Sequence, residues 1–141
     1  KEEVKRIGEK YGLKTFYNPN AHLGQSEALK IGVREAKSAD AYMFLLGDQP
    51  FITSKLIDKL IDEYNKTKAT IVVPNYNGEN GPPTIFSSTY RCELLALQGD
   101  KGGRDIIKKN IHSVQRVNIE DVKAGMDIDT IEDIYKLTIF R

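Results

Sequence analysis

The most informative part of the sequence reads Ala41-Tyr42-Met43-Phe44-Leu45-Leu46-Gly47-Asp48-Gln49-Pro50. Its first six residues form a continuous apolar run, which predicts a strand covered on both faces. Glycine then lets a ligand approach the backbone closely, and Pro50 ends the strand geometry, so that Asp48 stays outside the sheet. The pattern predicts a buried strand that delivers a carboxylate to its C-terminal end. The alternative is that Asp48 caps the turn before the next helix.

Helical and extended patterns alternate on both sides of this strand. Helices are predicted at Glu2–Lys10, Ser26–Lys37, from Thr53 onward, from Ser88 or Thr89 to Leu97, at Gly102–Asn110 and at the end of the chain through Leu137. Strands are predicted at Leu13–Tyr17, Ala41–Leu46, Thr70–Val73, Thr84–Phe86 and Ser113–Ile119, with a short extended piece at Met126–Asp129. This order predicts one α/β domain over residues 1–141, a three-layer sandwich with a mostly parallel central sheet. Ala41–Leu46 and Thr70–Val73 are expected to be neighbouring central strands.

The composition argues against several classes of function. The chain has 21 basic and 20 acidic residues, which are scattered, so nothing favours binding to nucleic acid or to an anionic membrane. The charged first residues do not resemble a signal peptide, and the single cysteine, Cys92, suits a reducing compartment. A cytoplasmic protein is expected. Cys92 lies in an apolar stretch, which favours a buried structural thiol over a reactive one.

A second acidic segment, Met126-Asp127-Ile128-Asp129-Thr130, follows much later in the chain. If it is extended, Asp127 and Asp129 project to the same face. Asp129 or Thr130 can also serve as the N-cap of the following helix, and the two roles are compatible. In an α/β sheet, ligands bind beyond the C-terminal ends of the strands. Asp48 and Asp129 are therefore candidate ligands of a divalent metal ion at that edge.

Three loops containing glycine also qualify as binding segments. His22–Ser26 precedes a helix, so its backbone N–H groups are candidates to face an anion or a nucleotide base. Gly78–Pro83 forms a rigid turn before a strand. Gly99–Arg104 opens another helix, and Arg104 is a candidate for bidentate phosphate binding. Each loop taken alone is more typical of ordinary turn chemistry than of a binding site.

Taken in order, these motifs resemble the MobA-like nucleotidyltransferases, in particular their molybdenum cofactor cytidylyltransferase branch. The resemblance runs from about Tyr17 to Leu137. The motifs that carry it are Asn18 with Gly24-Gln25-Ser26, Leu46–Pro50, Val72-Val73-Pro74 with Gly81-x-Pro83, Leu97-x-Gly99-Asp100-Lys101-Gly102-x-Arg104, and Asp127-Ile128-Asp129-Thr130-x-Glu132-Asp133. It implies a Rossmann-like fold and an enzyme that moves a nucleoside monophosphate, CMP rather than GMP, from an NTP to a phosphorylated pterin.

The resemblance also implies roles for single residues. Asp48 and Asp129 would be the catalytic carboxylates and would hold Mg²⁺. The nucleotide would be bound by Asn18, Gly24, Gln25, Ser26 and Asp48. The acceptor would be bound by Gly81, Pro83, Gly102, Arg104 and Asp127. A molybdenum hydroxylase would be a possible recipient of the product.

Members of this family open with a strand and a glycine-rich loop that wraps the triphosphate, and neither precedes Lys1 in this sequence. We therefore expect an N-terminally incomplete domain, either a fragment or a truncated gene product, that is inactive by itself. Two other readings stay open. One is transfer to another phosphorylated acceptor, such as a sugar phosphate or phospholactate. The other is a non-catalytic molybdopterin carrier.

Overall fold

The computed structural model describes residues 2–100, 102–133 and 135. Within these residues the helices are α1 (Glu2–Lys10), α2 (Gln25–Glu35), α3 (Ser54–Lys66), α4 (Arg91–Leu95) and α5 (Arg104–Lys109). The strands are β1 (Ala41–Phe44), β2 (Ile71–Tyr76), β3 (Glu79–Asn80), β4 (Thr84–Ser87) and β5 (Val114–Ile119). Single 3₁₀ turns lie at Ala21–Leu23, Ser88–Tyr90, Ile111–Ser113 and Val122–Gly125.

All five strands belong to one open sheet in which β4 lies between β1 and β2. β4 is antiparallel to both neighbours, and β5 pairs with β2 in parallel. β1, β2 and β5 therefore point in the same direction, as expected for a mostly parallel α/β core. The two-residue strand β3 pairs antiparallel with the end of β2.

Helices cover both faces of the sheet, which confirms the three-layer sandwich. On one face Val33 of α2, Leu94 of α4 and Ile106 of α5 pack on Phe86. On the other face Leu56 and Leu60 of α3 pack on Val72, Ile85 and Val117. Successive residues of β1, β2 and β4 alternate between these two cores, which explains the continuous apolar run Ile71–Val73 in β2.

The expectation that Ala41–Leu46 and Thr70–Val73 are neighbouring central strands was wrong, because among the described residues β1 pairs only with β4 and is an edge strand. The two strands are parallel in direction, but β4 separates them, with Tyr42 and Ile71 both opposite Phe86. β4 is short and apolar on both faces, so its sequence is compatible with a central position. The order of strands depends on long-range pairing, which the local pattern does not encode.

Two further expectations need correction. Leu13–Tyr17 is not a strand, and both Leu13 and Tyr17 are exposed; an extended segment becomes a strand only where its backbone pairs with another. Cys92 is exposed, because α4 buries Leu94 together with the flanking Tyr90 and Leu97 and leaves Cys92 on the opposite side.

Other local predictions hold. Thr53 caps α3 by accepting a hydrogen bond from the Leu56 N–H, and Gly12 after α1 has a positive φ of 73°. The predicted last helix is helical at Ile131–Asp133, and its continuation through Leu137 lies partly outside the described residues. In the described part of the chain, no helix has the length and apolar character to cross a membrane.

Gly103 provides a test of the packing between the sheet and the loop before α5. A Cβ atom at Gly103 would lie 2.4 Å from Cζ of Phe86, a buried core residue. We expect Gly103→Ala to lower the free energy of unfolding by about 1–3 kcal/mol, because overpacking displaces a ring held on all sides. Urea denaturation monitored by circular dichroism measures this free energy of unfolding.

The matched control is Gly32→Ala in α2, where a Cβ would meet no atom within 4 Å. This substitution should raise stability by up to about 1 kcal/mol, because alanine favours the helix interior over glycine. Equal stability of the two variants would contradict the described packing around Phe86.

Candidate active site

The strand directions bring four chain segments to one edge of the sheet. The C-terminal end of β1 lies beside the start of β4, where Phe44 pairs with Thr84. The C-terminal ends of β2 and β5 lie together, where Tyr76 pairs with Ile119. The loops that follow β1, β2 and β5 and the loop that enters β4 therefore leave the sheet at the same edge, where α/β proteins bind ligands.

Direct hydrogen bonds join the loop after β1 to the segment after β5. The Ile128 N–H donates to the Asp48 carbonyl oxygen at 2.9 Å. The Gln49 side-chain Nε2 donates to Asp127 Oδ1 at 2.7 Å and to the Gly125 carbonyl oxygen at 3.5 Å. Asp48 lies 79 positions before Asp127 in the sequence, yet the two segments are in contact.

The three carboxylates differ in their surroundings, although all three residues are exposed. Asp127 accepts the Gln49 hydrogen bond. Among the described residues, the carboxylates of Asp48 and Asp129 have no hydrogen-bond or ion-pair partner. The next helix is capped by Thr130, whose Oγ1 accepts from the Asp133 N–H at 3.2 Å. Asp129 is thus not needed as the cap, and its carboxylate is available to a ligand.

The donor set can be compared with the needs of a metal ion. Within the described residues, no group of three or more His, Cys, Asp or Glu side chains forms a ready-made metal cage. Mg²⁺ is usually held by only one or two protein carboxylates, with waters and substrate phosphate oxygens completing its shell. Two free carboxylates, from Asp48 and Asp129, fit that mode of binding and do not fit a closed structural metal site.

Tyr76 connects this junction to the predicted acceptor loop. Its ring lies against both Gly81 and Gly125, where Cβ atoms would fall 3.0 Å and 2.8 Å from ring carbons. Its hydroxyl donates to the Pro82 carbonyl oxygen at 2.8 Å. Burial raises the pKa of Tyr76 to about 12. Gly81 therefore lies in the same cluster as the Gly125–Asp129 segment.

Pro83, predicted to contact the acceptor, is fully buried. Its role in the structure is to support the turn into β4, because a residue without exposed surface cannot touch a ligand. Within the Gly78–Pro83 loop, Gly78, Glu79 and Asn80 are exposed, and Gly81 and Pro82 are half-buried.

The N-terminal end of α2 differs from the expectation of an open anion site. The Gln25 N–H donates to Asp100 Oδ1 at 2.9 Å, and the Ser26 N–H donates to the Gly99 carbonyl oxygen at 3.0 Å. The chain's own carboxylate thus occupies the place where an anion would bind. Gly24, with φ of 107°, has no room for a Cβ, which would lie 2.5 Å from the Gly99 carbonyl carbon.

The predicted nucleotide-binding residues are consequently in different environments. Ser26 is fully buried, so its hydroxyl does not reach a ligand in this conformation. Gln25 is exposed and lies near Gly102, which brings the two predicted binding loops together. Asn18 Oδ1 accepts a hydrogen bond from the Asn20 N–H at 3.0 Å in a local turn, and no described contact joins Asn18 to Asp48.

Arg104, which was predicted to bind the acceptor, is the exposed first residue of α5.

Sequence reasoning missed three residues that build the site. Gln49 and Asp100 both lie inside motifs that were recognised, but their partners are 78 and 75 residues away. Tyr76 gave no local signal, because its neighbours Gly81 and Gly125 come together only in the folded chain.

Comparison with known proteins gives a match to one protein family. A model of the MobA-like NTP transferase domain matches residues 1–116. The match ends before Asp127 and Asp129, which join the matched part through the hydrogen bonds to Asp48 and Gln49. No curated protein matches the chain significantly.

Solved structures are similar in fold. A homologue of Mycobacterium tuberculosis Rv0371c from Mycobacterium sp. strain JC1 is 31% identical over 83% of this chain and 58% of that chain, with a TM-score of 0.69. Rv0371c in complex with manganese is 30% identical over 77% of this chain and 57% of that chain, with a TM-score of 0.65. The chain thus spans less than two thirds of these proteins.

A third structure, molybdopterin-guanine dinucleotide biosynthesis protein A from Archaeoglobus fulgidus, shares the fold. It is 13% identical over 99% of this chain and 73% of that chain, with a TM-score of 0.64. Because the family model covers most of the sequence and the fold agrees, the chain belongs to the MobA-like NTP transferase domain family.

Proposed function

We propose that the protein is a nucleotidyltransferase that moves a nucleoside monophosphate, CMP rather than GMP, from an NTP to a phosphorylated pterin of the molybdenum cofactor type. An acceptor phosphate oxygen forms a bond to the α-phosphorus as the bond to the β-phosphate oxygen breaks, and pyrophosphate leaves. Residues 1–141 are proposed to act as one domain of this enzyme.

One observation carries the proposal. Asp48 and Asp129, far apart in sequence, lie on hydrogen-bonded segments at one edge of the sheet, and their carboxylates have no partner among the described residues. Phosphoryl and nucleotidyl transfer depend on neutralising and aligning phosphate oxygens more than on a covalent nucleophile. Exposed carboxylates by themselves repel a triphosphate, so this edge suits an NTP only together with a cation.

Asp48 and Asp129 are the proposed ligands of that cation, Mg²⁺, which supplies charge neutralisation at the phosphate oxygens. The manganese complex of Rv0371c supports a divalent ion in a relative. Asp127, held by Gln49, is proposed to face the acceptor rather than the metal.

The remaining assignments rest on the sequence resemblance. Gly24, Gln25 and Asn18 are proposed to lie near the nucleotide, and Gly81, Gly102 and Arg104 near the acceptor. The exposed position of Arg104 at the start of α5 is compatible with binding a phosphate group. The product would be passed to a molybdenum hydroxylase in the cytoplasm.

Replacing Asp48 tests the proposed metal ligand. In the protein as its gene encodes it, Asp48→Ala should lower nucleotidyl transfer by at least ~100-fold, because a metal ligand stabilises the transition state by several kcal/mol. The melting temperature should stay near that of the wild type, since Asp48 is exposed. Pyrophosphate release measures the activity.

Asp62→Ala in α3 is the matched control. Asp62 is exposed and forms a surface ion pair with Lys66 at 4.0 Å, so its loss should change activity less than about twofold. Full activity of Asp48→Ala, or an equal loss in both variants, would rule out the assigned role of Asp48.

The substrates are tested by offering CTP, GTP and ATP with molybdopterin, a sugar phosphate or phospholactate. We expect CTP and molybdopterin to give the highest kcat/KM, and turnover to stop with EDTA and return with Mg²⁺, because the acidic edge needs a cation to accept a triphosphate. Turnover with a sugar phosphate but not with molybdopterin would contradict the proposed acceptor. Turnover that persists in EDTA would contradict the proposed metal.

A further inference from the structure

We infer that Gln49 is a positioning residue that holds the Gly125–Asp129 segment in register against the loop after β1, and so places Asp129 beside Asp48. This inference rests on the proposed function, because it deepens the account of the same site. Gln49 itself need not touch the metal, the nucleotide or the acceptor.

Among the described residues, the Gly125–Asp129 segment is attached to the rest of the domain by few hydrogen bonds. It belongs to no strand, and it lies beyond residue 116, where the family match ends. In the described chain its hydrogen bonds to the β1 loop are the Ile128 N–H to Asp48 and the two bonds from Gln49 Nε2. One side chain thus supplies two of these three bonds.

The Gln49 side chain is also buried. Gln49 is 5% exposed, although it lies between the exposed residues Asp48 and Pro50 in a loop. A glutamine loses much side-chain entropy and hydration when it is buried, so its hydrogen bonds must offset that cost. The Asp127 carboxylate is a charged acceptor at 2.7 Å, and such bonds are stronger than those between neutral groups.

The side-chain amide of Gln49 has a defined orientation. With Nε2 toward Asp127 and Gly125, Oε1 is buried and has no partner among the described residues. Turning the amide over would place Oε1 against a carboxylate and a carbonyl, which are both acceptors. The observed direction leaves one acceptor unpaired and avoids that repulsion, so the contact with Asp127 determines how Gln49 is oriented.

The hydrogen bonds of Gln49 also determine how the Gly125–Asp129 segment is aligned along the loop after β1. Residues in an extended segment alternate sides, so Asp127 and Asp129 project alike only while the backbone keeps its alignment. The hydrogen bonds to Asp127 and from the Ile128 N–H fix that alignment at the two residues immediately before Asp129. Without the Gln49 bonds, one backbone hydrogen bond would remain between the two segments in the described chain.

The test uses Mn²⁺ binding, measured by electron paramagnetic resonance, on the protein as its gene encodes it. Gln49→Met keeps the length of the side chain and removes the donor. We expect it to weaken Mn²⁺ binding by about 10-fold, the lower end of the range for loss of a group that orients a metal ligand. Gln115→Met is the matched control, because Gln115 lies at the start of β5, away from the C-terminal edge, and should leave Mn²⁺ affinity unchanged.

Substitutions at exposed Asp127 give a second arm that does not threaten the fold. Asp127→Asn and Asp127→Ala both remove the charge, but only asparagine retains an acceptor for Gln49 Nε2. Asp127→Ala should bind Mn²⁺ several-fold more weakly than Asp127→Asn. Adding Gln49→Met to Asp127→Ala should then cause little further loss, because the contact is already absent.

The outcomes separate this inference from the proposed function. If Asp48→Ala abolishes Mn²⁺ binding while Gln49→Met and Asp127→Ala both match their controls, Gln49 is not a positioning residue and the proposed function is unaffected. If the predicted Mn²⁺ pattern appears but no NTP yields pyrophosphate, the positioning role holds and the proposed function fails. Absence of Mn²⁺ binding in the wild type would overturn both.

Discussion

The antiparallel placement of β4 between β1 and β2 is the constraint on which the site depends. It makes β1 and β2 point in the same direction without touching, and it starts β4 where β1 ends. Four loops consequently leave the sheet at one edge. The Gly47–Pro50 loop therefore lies at the same end of the sheet as Gly81 and the acidic segment after β5.

At that edge the chain is joined by side chains and single backbone hydrogen bonds, not by a strand ladder. Tyr76 fills the space between two glycines, and Gln49 binds Asp127. In the part of the chain that the structure describes, the carboxylates of Asp48 and Asp129 have no hydrogen-bond or ion-pair partner. Under the proposed function, a cation bound at this edge would make it suitable for phosphate groups. At the N-terminal end of α2, in contrast, the Asp100 carboxylate already accepts a hydrogen bond from the Gln25 backbone N–H.

Local sequence signals predicted much of the fold. The apolar run at β1, the cap at Thr53 and the glycine after α1 all act over a few residues, and the structure agrees with them. The predictions that failed depended on distant partners. β4 entered the sheet between two predicted neighbours, and Leu13–Tyr17 gained no pairing strand.

The same distinction holds for the site. Asp48 and Asp129 were predicted from local sequence alone, because each lies at the end of a predicted extended segment. The sequence pattern could not show that Asp100 accepts a hydrogen bond from the Gln25 backbone N–H, or that Ser26 and Pro83 are buried. Each of these facts depends on packing between segments far apart in the chain. Gln49 lies next to Asp48 in the same motif, yet its function depends on Asp127, which is 78 residues away.

The most direct test of the central claim is a crystal structure of the protein with Mn²⁺ and CTP, in which anomalous scattering locates the metal ion. The account predicts a manganese peak within direct coordination distance of carboxylate oxygens from both Asp48 and Asp129, with phosphate oxygens of the nucleotide completing its shell. A peak bound by other residues, or one contacting neither aspartate, would contradict it.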